Sequence, residues 1–326
     1  MNLLFLNAGR RCELINRFRE SLRARGDGRI WGSDIDPKAP ALQLVDDARI
    51  FPHGDADEFP SFLIAFCNDH NVDLVIPTID PDLLRLDAIR HRFDKEASDC
   101  TLLLPSSTTV RAAANKRRSR ELFAETDLRL PRIYDVEPPP SAFPVFVRPP
   151  EGSAGRGARK VSNRVQLDDA LRKTPDLLVE EYIDGPEYTV DVLCNFDGNA
   201  LIALPRKRVK IRGGEAQISL LDRNDQIESH AKRLAEVFHA TGPVTVQFIR
   251  AGEHEFVPIE LNARMGGGLP LSITAGADWP GWILDLVQGR SFSTDVPIAD
   301  QLLMTRYDQS FFLSPHDLHR LRRSSQ

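Results

Sequence analysis

Four short apolar runs, Leu3–Leu6, Ile30–Trp31, Leu74–Ile76 and Leu102–Leu104, punctuate the first third of the chain. The stretches between them carry apolar residues at helical spacing. Leu14, Ile15, Phe18 and Leu22 fall on one face of a helix over Cys12 to Arg25, and Glu58–Asn68 and Pro81–Phe93 repeat the pattern. Parallel strands cannot be joined by a tight turn; they need a crossover, usually a helix. Alternation of strand and helix therefore predicts an α/β domain over residues 1–110, a parallel sheet with helices on its faces.

The pattern then changes. Ala112–Glu125 reads as a charged helix, and the linker ending at Pro138-Pro139-Pro140 is too proline-rich for regular structure. Strands at Val145–Arg148, Ala158–Val161 and Leu177–Glu181, with a helix near Leu167–Lys173, predict a small α+β module over residues 111–185. Longer strands follow at Tyr188–Asn195, Ala200–Arg206, Val244–Arg250 and Glu255–Asn262, interrupted by a helix over Asp225–Ala240, which predicts a larger α+β module over residues 186–326. The basic tail His319–Arg323 reads as a solvated end.

A formal net charge of −5 argues against nucleic acid as a partner. Cys12, Cys67, Cys100 and Cys194 are scattered with no CxxC pair, which suits a reduced chain. No apolar run approaches the ~20 residues that span a bilayer, and no basic leader precedes Leu3. A cytoplasmic protein, with neither membrane nor nucleic acid as partner, is expected.

Two segments carry chemistry. Arg148-Pro149-Pro150-Glu151-Gly152-Ser153-Ala154-Gly155-Arg156-Gly157 joins two strands, and its glycines let backbone N–H groups turn toward a phosphate. It lacks the Gly-Lys-Ser/Thr ending of a P-loop and leads into a strand rather than a helix; a bare β-turn explains the loop as well. The hairpin Val244–Arg250 and Glu255–Asn262 says more. Side chains alternate along a strand, so Glu260 and Asn262 share a face. With a two-residue loop at Gly252-Glu253, Gln247 pairs with Pro258 and joins that face. Three oxygen-bearing side chains beside a buried strand invite a cation, and oxygen ligands suit Mg²⁺; a solvated hairpin face is the alternative. Arg264 and Gly266-Gly267-Gly268 follow at once. Arg206-Lys207-Arg208 and Arg212-Gly213-Gly214-Glu215 would bind a substrate carboxylate or decorate a solvated edge. Asn7–Arg11 ends the first strand, where open α/β sheets place ligands. Asp34 and Asp80 end or follow nearby strands; each is a ligand or simply a cap or turn residue.

Together these segments resemble the ATP-grasp superfamily, in particular the stand-alone proteins similar to the carbamoyl-phosphate synthetase large subunit. The likeness runs from about Leu3 to Gln288. Glu260-Leu261-Asn262-Ala263-Arg264, a variant of that family's Glu-x-Asn-Pro-Arg, is its most specific element. The resemblance implies a Rossmann-like N-terminal (pre-ATP-grasp) domain followed by two α+β modules that grip ATP. It implies Lys116 and Arg148 on the ATP phosphates, a lid formed by Ser153, Ala154, Gly155, Arg156 and Gly157, adenine held by Glu180, Glu181, Tyr182 and Ile183, and ribose held by Glu187. It also implies Arg206 beside the nucleotide, Gln247, Glu260 and Asn262 as ligands of Mg²⁺ (with Mn²⁺ as an alternative ion), and Arg264 on the transferred phosphoryl group. Arg stands at position 148 where many members carry lysine, and Gln at position 247 where many carry an acid. Ala263 stands where proline is usual. The implied activity is that of a carboxylate-amine ligase working on a small carboxylate and an amine through an acyl phosphate, with room for a homodimer. The chain is too short for the two ATP sites of the synthetase, so carbamoyl phosphate is not the expected product. A catalytically inactive regulatory protein of the same fold is the alternative. No Gly-x-Gly-x-x-Gly follows Leu3–Leu6, which counts against a nicotinamide-dependent oxidoreductase.

Overall fold

The computed structural model describes residues 1–136, 140, 142–152, 155–315 and 317. Ser153 and Ala154 of the expected lid, Pro138 and Pro139 of the linker, and the basic tail His319–Arg323 lie outside the described residues.

The N-terminal sheet holds β1 (Leu3–Leu6), β2 (Ile30–Asp34), β3 (Asp47–Ile50), β4 (Leu74–Pro77) and β5 (Thr101–Leu102), parallel throughout, in the order β3-β2-β1-β4-β5. β1 through β4 are connected by α1 (Cys12–Ala24) and α2 (Phe59–Asp69), and α3 (Asp80–Glu96) leads to β5. The strand order reverses between β1 and β4. At such a switch point successive crossovers leave to opposite faces, and a crevice opens beyond the strands' carboxyl ends. Two loops enter it, Asn7–Arg11 after β1 and Thr78–Asp80 before α3. Asp80 and Asp82 occupy the first turn of α3 with Pro81, where acids meet the positive end of the helix and proline costs no hydrogen bond.

The stretch expected to be one helix over Ala112–Glu125 is two, α4 (Ser107–Ala114) and α5 (Lys116–Phe123). Asn115 between them is extended, and its side chain accepts from the backbone N–H groups of Arg117 and Arg118. Asparagine is among the best N-caps, and here capping ends one helix and starts the next. The small module then folds as β6 (Val145–Arg148), β7 (Arg159–Val161), α6 (Arg164–Lys173) and β8 (Leu178–Glu181) in an antiparallel sheet ordered β7-β6-β8.

The large module is an antiparallel sheet ordered β13-β12-β9-β10-β11-β14. Its strands are β9 (Glu187–Cys194), β10 (Ala200–Arg212), β11 (Glu215–Leu221), β12 (Gly242–Arg250), β13 (Phe256–Asn262) and β14 (Leu303–Thr305), with α7 (Asp225–Val237) packed on one face. β10 runs six residues beyond the expected Arg206, and β11, not expected, pairs with it through Arg212↔Glu215. The last helices, α8 (Leu269–Thr274) and α9 (Trp279–Val287), belong to the core of the N-terminal domain. Leu271, Trp279, Trp282 and Ile283 share one apolar cluster with Leu14, Ile15, Phe18 and Leu22 of α1. Arg25 clasps Asp285 across this seam at 2.5 and 2.8 Å. First and last segments thus fix one another, which sets the switch-point loops against the large sheet.

Candidate active site

The three parts of the chain face one cleft of about 490 Å³, reached by both switch-point loops, the glycine loop and the large sheet. Its floor is the β12–β13 hairpin. The hairpin loop is longer than two residues, with Ala251 N–H donating to Glu255 O at 2.9 Å, and a bulge lies between Gln247 and Phe248. The register expected from the sequence is therefore corrected: Phe248, not Gln247, pairs with Pro258. Gln247 stands directly opposite Glu260, and Thr245 opposite Asn262. Opposite residues of antiparallel strands share a face, so Gln247, Glu260 and Asn262 come closer than the simpler register allowed. Val246 and Leu261 point the other way into the core, both fully buried.

Cations surround this face. Burial pushes the Glu260 carboxyl above its ordinary value; Lys116, Arg148 and Arg264 oppose that, and Asp80 reinforces it. Burial in turn pulls the Lys116 ammonium down, with Glu260 as its main counterweight. Lys116 sits at the first turn of α5 and is tied to the stem of the glycine loop: its Nζ donates to Gly152 O at 2.9 Å and its backbone N–H to Pro150 O at 2.8 Å. Asn115 Nδ2 reaches Glu151 at 3.0 Å. Gly152 and Gly155 adopt φ of +108° and +67°, a region that side chains with a Cβ enter at a cost. Arg264 is held bidentate by Asp80, at 2.7 and 2.8 Å, so a switch-point acid orients it. Arg208 donates to Glu187 at 2.8 Å and to Gln247 Oε1 at 3.3 Å, which fixes the Gln247 amide.

Not every expected residue lies here. Lys116, Arg148, Gly155, Arg156, Glu187, Arg206, Gln247, Glu260, Asn262 and Arg264 line the cleft; Gly157, Glu180, Glu181, Tyr182 and Ile183 do not. Glu180 is buried and pairs with Arg148, whose Nη2 donates to it at 2.9 Å while Nη1 donates to Ile259 O. The backbone edge of β8 expected to meet adenine is already paired: Glu181 N–H donates to Arg132 O at 2.8 Å and Val179 O accepts from Tyr134. Tyr182 lies under the Lys160 ammonium. Arg206 reaches the cleft wall but its guanidinium, 2% exposed, is clamped by Asp191 at 2.7 and 2.8 Å. Asp34, the last residue of β2, accepts from the Gly9 and Asp36 N–H groups and so caps the turn that follows. The glycine run after Arg264 covers these guanidiniums. A Cβ on Gly268 would lie 1.9 Å from Arg206 Nη1, and one on Gly267 2.5 Å from Arg11 Nη1.

The large sheet, the glycine loop between antiparallel strands and the parallel domain ahead of them have known counterparts. Residues 3–102 match the family described as "PylC-like, N-terminal domain", and residues 173–309 that described as "ATP-grasp in the biosynthetic pathway with Ter operon". The chain belongs to the ATP-grasp superfamily. Among curated relatives, the 3-methyl-D-ornithine–L-lysine ligase of Methanosarcina mazei is 29% identical over 178 residues, 55% of this chain and 43% of that one. The formate-dependent phosphoribosylglycinamide formyltransferase of Prochlorococcus marinus is 25% identical over 252 residues, 69% of this chain and 61% of that one. This ATP-grasp chain thus spans about half the length of the curated relatives it matches. A biotin carboxylase from Campylobacter jejuni, solved as a β-γ-ATP complex, superimposes with a TM-score of 0.71 at 16% identity, over 93% of this chain and 74% of that one, and shares the fold.

The donor set fits a hard divalent cation. Gln247, Glu260 and Asn262 offer oxygens only, from one face of a rigid hairpin. Among the described residues no donor lies within hydrogen-bonding reach of the Glu260 carboxylate or the Asn262 amide oxygen. A half-buried carboxylate left so is costly without a cation. No group of three or more His, Cys, Asp and Glu among the described residues competes with this face, and no described helix is long and apolar enough to cross a membrane.

Proposed function

We propose that this chain is an ATP-dependent carboxylate-amine ligase that works through an acyl phosphate. The observation that supports it is the meeting, in one cleft, of an oxygen face (Gln247, Glu260, Asn262) with four cationic side chains (Lys116, Arg148, Arg208, Arg264) beneath a glycine loop. Triphosphate and carboxylate bring several negative charges together, and charge that moves during phosphoryl transfer must meet fixed opposite charge. Gln247, Glu260 and Asn262 would hold Mg²⁺, which when bound neutralises phosphoryl oxygens. Lys116, anchored to the loop stem, follows the loop onto the phosphates. Arg148, its fork held by Glu180 and the Ile259 carbonyl, would lend positive charge to the phosphates from the cleft wall. Arg264, oriented by Asp80, faces the phosphoryl group in transit. A carboxylate oxygen of the acid attacks the γ-phosphorus and ADP departs; the amine then attacks the carbonyl carbon and phosphate departs with the former carboxylate oxygen.

An ATP-grasp protein that binds nucleotide without turnover is the second reading. Hydroxylamine decides between them. Incubated with ATP, Mg²⁺ and a panel of small acids, an acyl-phosphate-forming enzyme releases ADP and a hydroxamate with at least one acid. Nucleotide binding with neither product from any acid would favour the regulatory reading. The relatives' names place amino acids and formate first in that panel.

A further inference from the structure

The cleft does not end at the glycine run. Past Gly266 and Gly267 it opens into a second cavity of about 700 Å³, walled by the start of α1, by α8 and by the segment after β14. Its lining includes the apolar side chains Leu14, Leu44, Leu271, Leu302, Met304 and Phe311. Its junction with the first cleft is charged: Arg11, Glu215 and Arg306 line both cavities.

Arg11 comes from the switch-point loop and Arg306 from beyond β14, and both hold the same carboxylate. Nη1 of Arg11 is 3.3 Å from Glu215 Oε1, and Nη1 of Arg306 is 3.4 Å from Oε2. Each guanidinium also touches a backbone carbonyl, Thr78 O for Arg11 and Gly267 O for Arg306, so both are aimed at the junction. The cations are mostly covered, 19% and 27% exposed, while Glu215 is 46% exposed. Glu215 follows Gly213 and Gly214, both at positive φ, at the tip of the β10–β11 hairpin, the easiest place in that sheet to move. Burial holds both guanidiniums below their ordinary values; Arg264 lowers Arg11 further, and Arg206 does so for Arg306. Two fixed, desolvated forks thus share one long-range, half-exposed carboxylate.

We propose, resting on the ligase reading above, that the second cavity holds the apolar body of the carboxylate substrate. Arg11 and Arg306 grip the substrate's carboxylate at the mouth of the nucleotide cleft, and Glu215 keeps that place until the substrate displaces it. The ligand class is a carboxylate on an apolar body, a chemistry shared by apolar amino acids and their deaminated counterparts. An acid so held presents one oxygen toward Arg264 and the phosphates while its body stays out of water.

The test pairs acids that differ in body and in amine: acetate and glycine, 4-methylpentanoate and leucine, 3-phenylpropionate and phenylalanine. Calorimetric titration of the full chain without ATP reads the cavity independently of turnover; ATP-dependent hydroxamate formation reads KM. The larger acids should bind at least about tenfold tighter than acetate and glycine, since burying even one methylene in an apolar pocket is worth that much. The leucine and 4-methylpentanoate arms tell which source the site prefers. Glu215→Gln should tighten the preferred acid about threefold by removing a half-exposed competitor. Arg306→Leu should weaken it about tenfold or more, and Arg306→Lys should recover part of the loss. Equal affinity for acetate and 3-phenylpropionate, or weaker acid binding in Glu215→Gln, would overturn the proposal even if hydroxamate forms. Tight acid binding with no ADP release from any acid would instead overturn the ligase reading and leave the cavity as a carboxylate-binding site.

Discussion

Truncating Arg206 to methionine leaves Asp191 in the interior as a carboxylate with, among the described residues, only Ser272 Oγ, at 3.1 Å, still bonded to it. Both partners of the lost ion pair are 2% exposed, so the carboxylate that remains is largely dry. Breaking a buried pair from one side costs about 3–5 kcal/mol, because the charge that remains is uncompensated. At roughly 1.5 °C per kcal/mol for a chain of 326 residues, Tm should fall by about 4–7 °C. Removing both charges is a different perturbation. Arg206→Met with Asp191→Leu should regain most of the loss, since a buried pair exchanged for apolar side chains is often close to neutral. The assay is calorimetry or circular dichroism on the four members of the double-mutant cycle, whose non-additivity measures the pair. Arg206→Met within about 1 kcal/mol of wild type would refute the reasoning, as would a double variant that loses the sum of the single losses.

Glu260→Ala should lower turnover by ~10²-fold or more while the fold survives, the scale for losing a major electrostatic stabiliser; the steady-state rate with the preferred acid measures it. Gly268→Ala puts a Cβ 1.9 Å from Arg206 Nη1 on a backbone at ordinary φ, so the loss is steric; a destabilisation of about 1–3 kcal/mol is expected by thermal unfolding. Burial, and after it the hydrogen bond to Asp222 at 2.6 Å, push the Tyr188 phenol up to about 12. The folded chain therefore keeps a proton there that the unfolded chain loses near pH 10, and stability from this group is intact below pH ~10 and lost as pH climbs toward 12. Absorbance of tyrosinate should show a late-titrating phenol that is absent in Tyr188→Phe.

Much of this was legible in the chain. The apolar runs at Leu3–Leu6 and Leu74–Ile76 announce buried parallel strands because both faces of such a sheet are covered. β3, Asp-Ala-Arg-Ile, carries no such run: it is an edge strand, half polar, and nothing local distinguishes it from a loop. Asn115 is a cap that reads as an ordinary helix residue until its neighbours' N–H groups are seen to need it. The extension of β10 was hidden by charge, since Lys207–Arg212 looks solvated and yet pairs across the sheet, whereas β11, Glu-Ala-Gln-Ile-Ser-Leu-Leu, carries one charge and was legible as a strand. Alternation along β13 correctly put Glu260 and Asn262 together; the bulge that seats Gln247 opposite Glu260 leaves no trace in composition. Ion pairs between distant segments were out of reach. No spacing joins Arg264 to Asp80, because that pair depends on where the switch-point loop docks; Arg206 and Asp191 are diagonal neighbours on β10 and β9, and Arg306 meets Glu215 only because β14 pairs with β11.

Oxygen-18 placed in the carboxylate of the preferred acid tests the central claim most directly. If that carboxylate attacks the γ-phosphorus, mass spectrometry of the phosphate released in the presence of ATP, Mg²⁺ and the amine should find one labelled oxygen per phosphate. Unlabelled phosphate accompanied by amide product would contradict activation of the acid in this cleft.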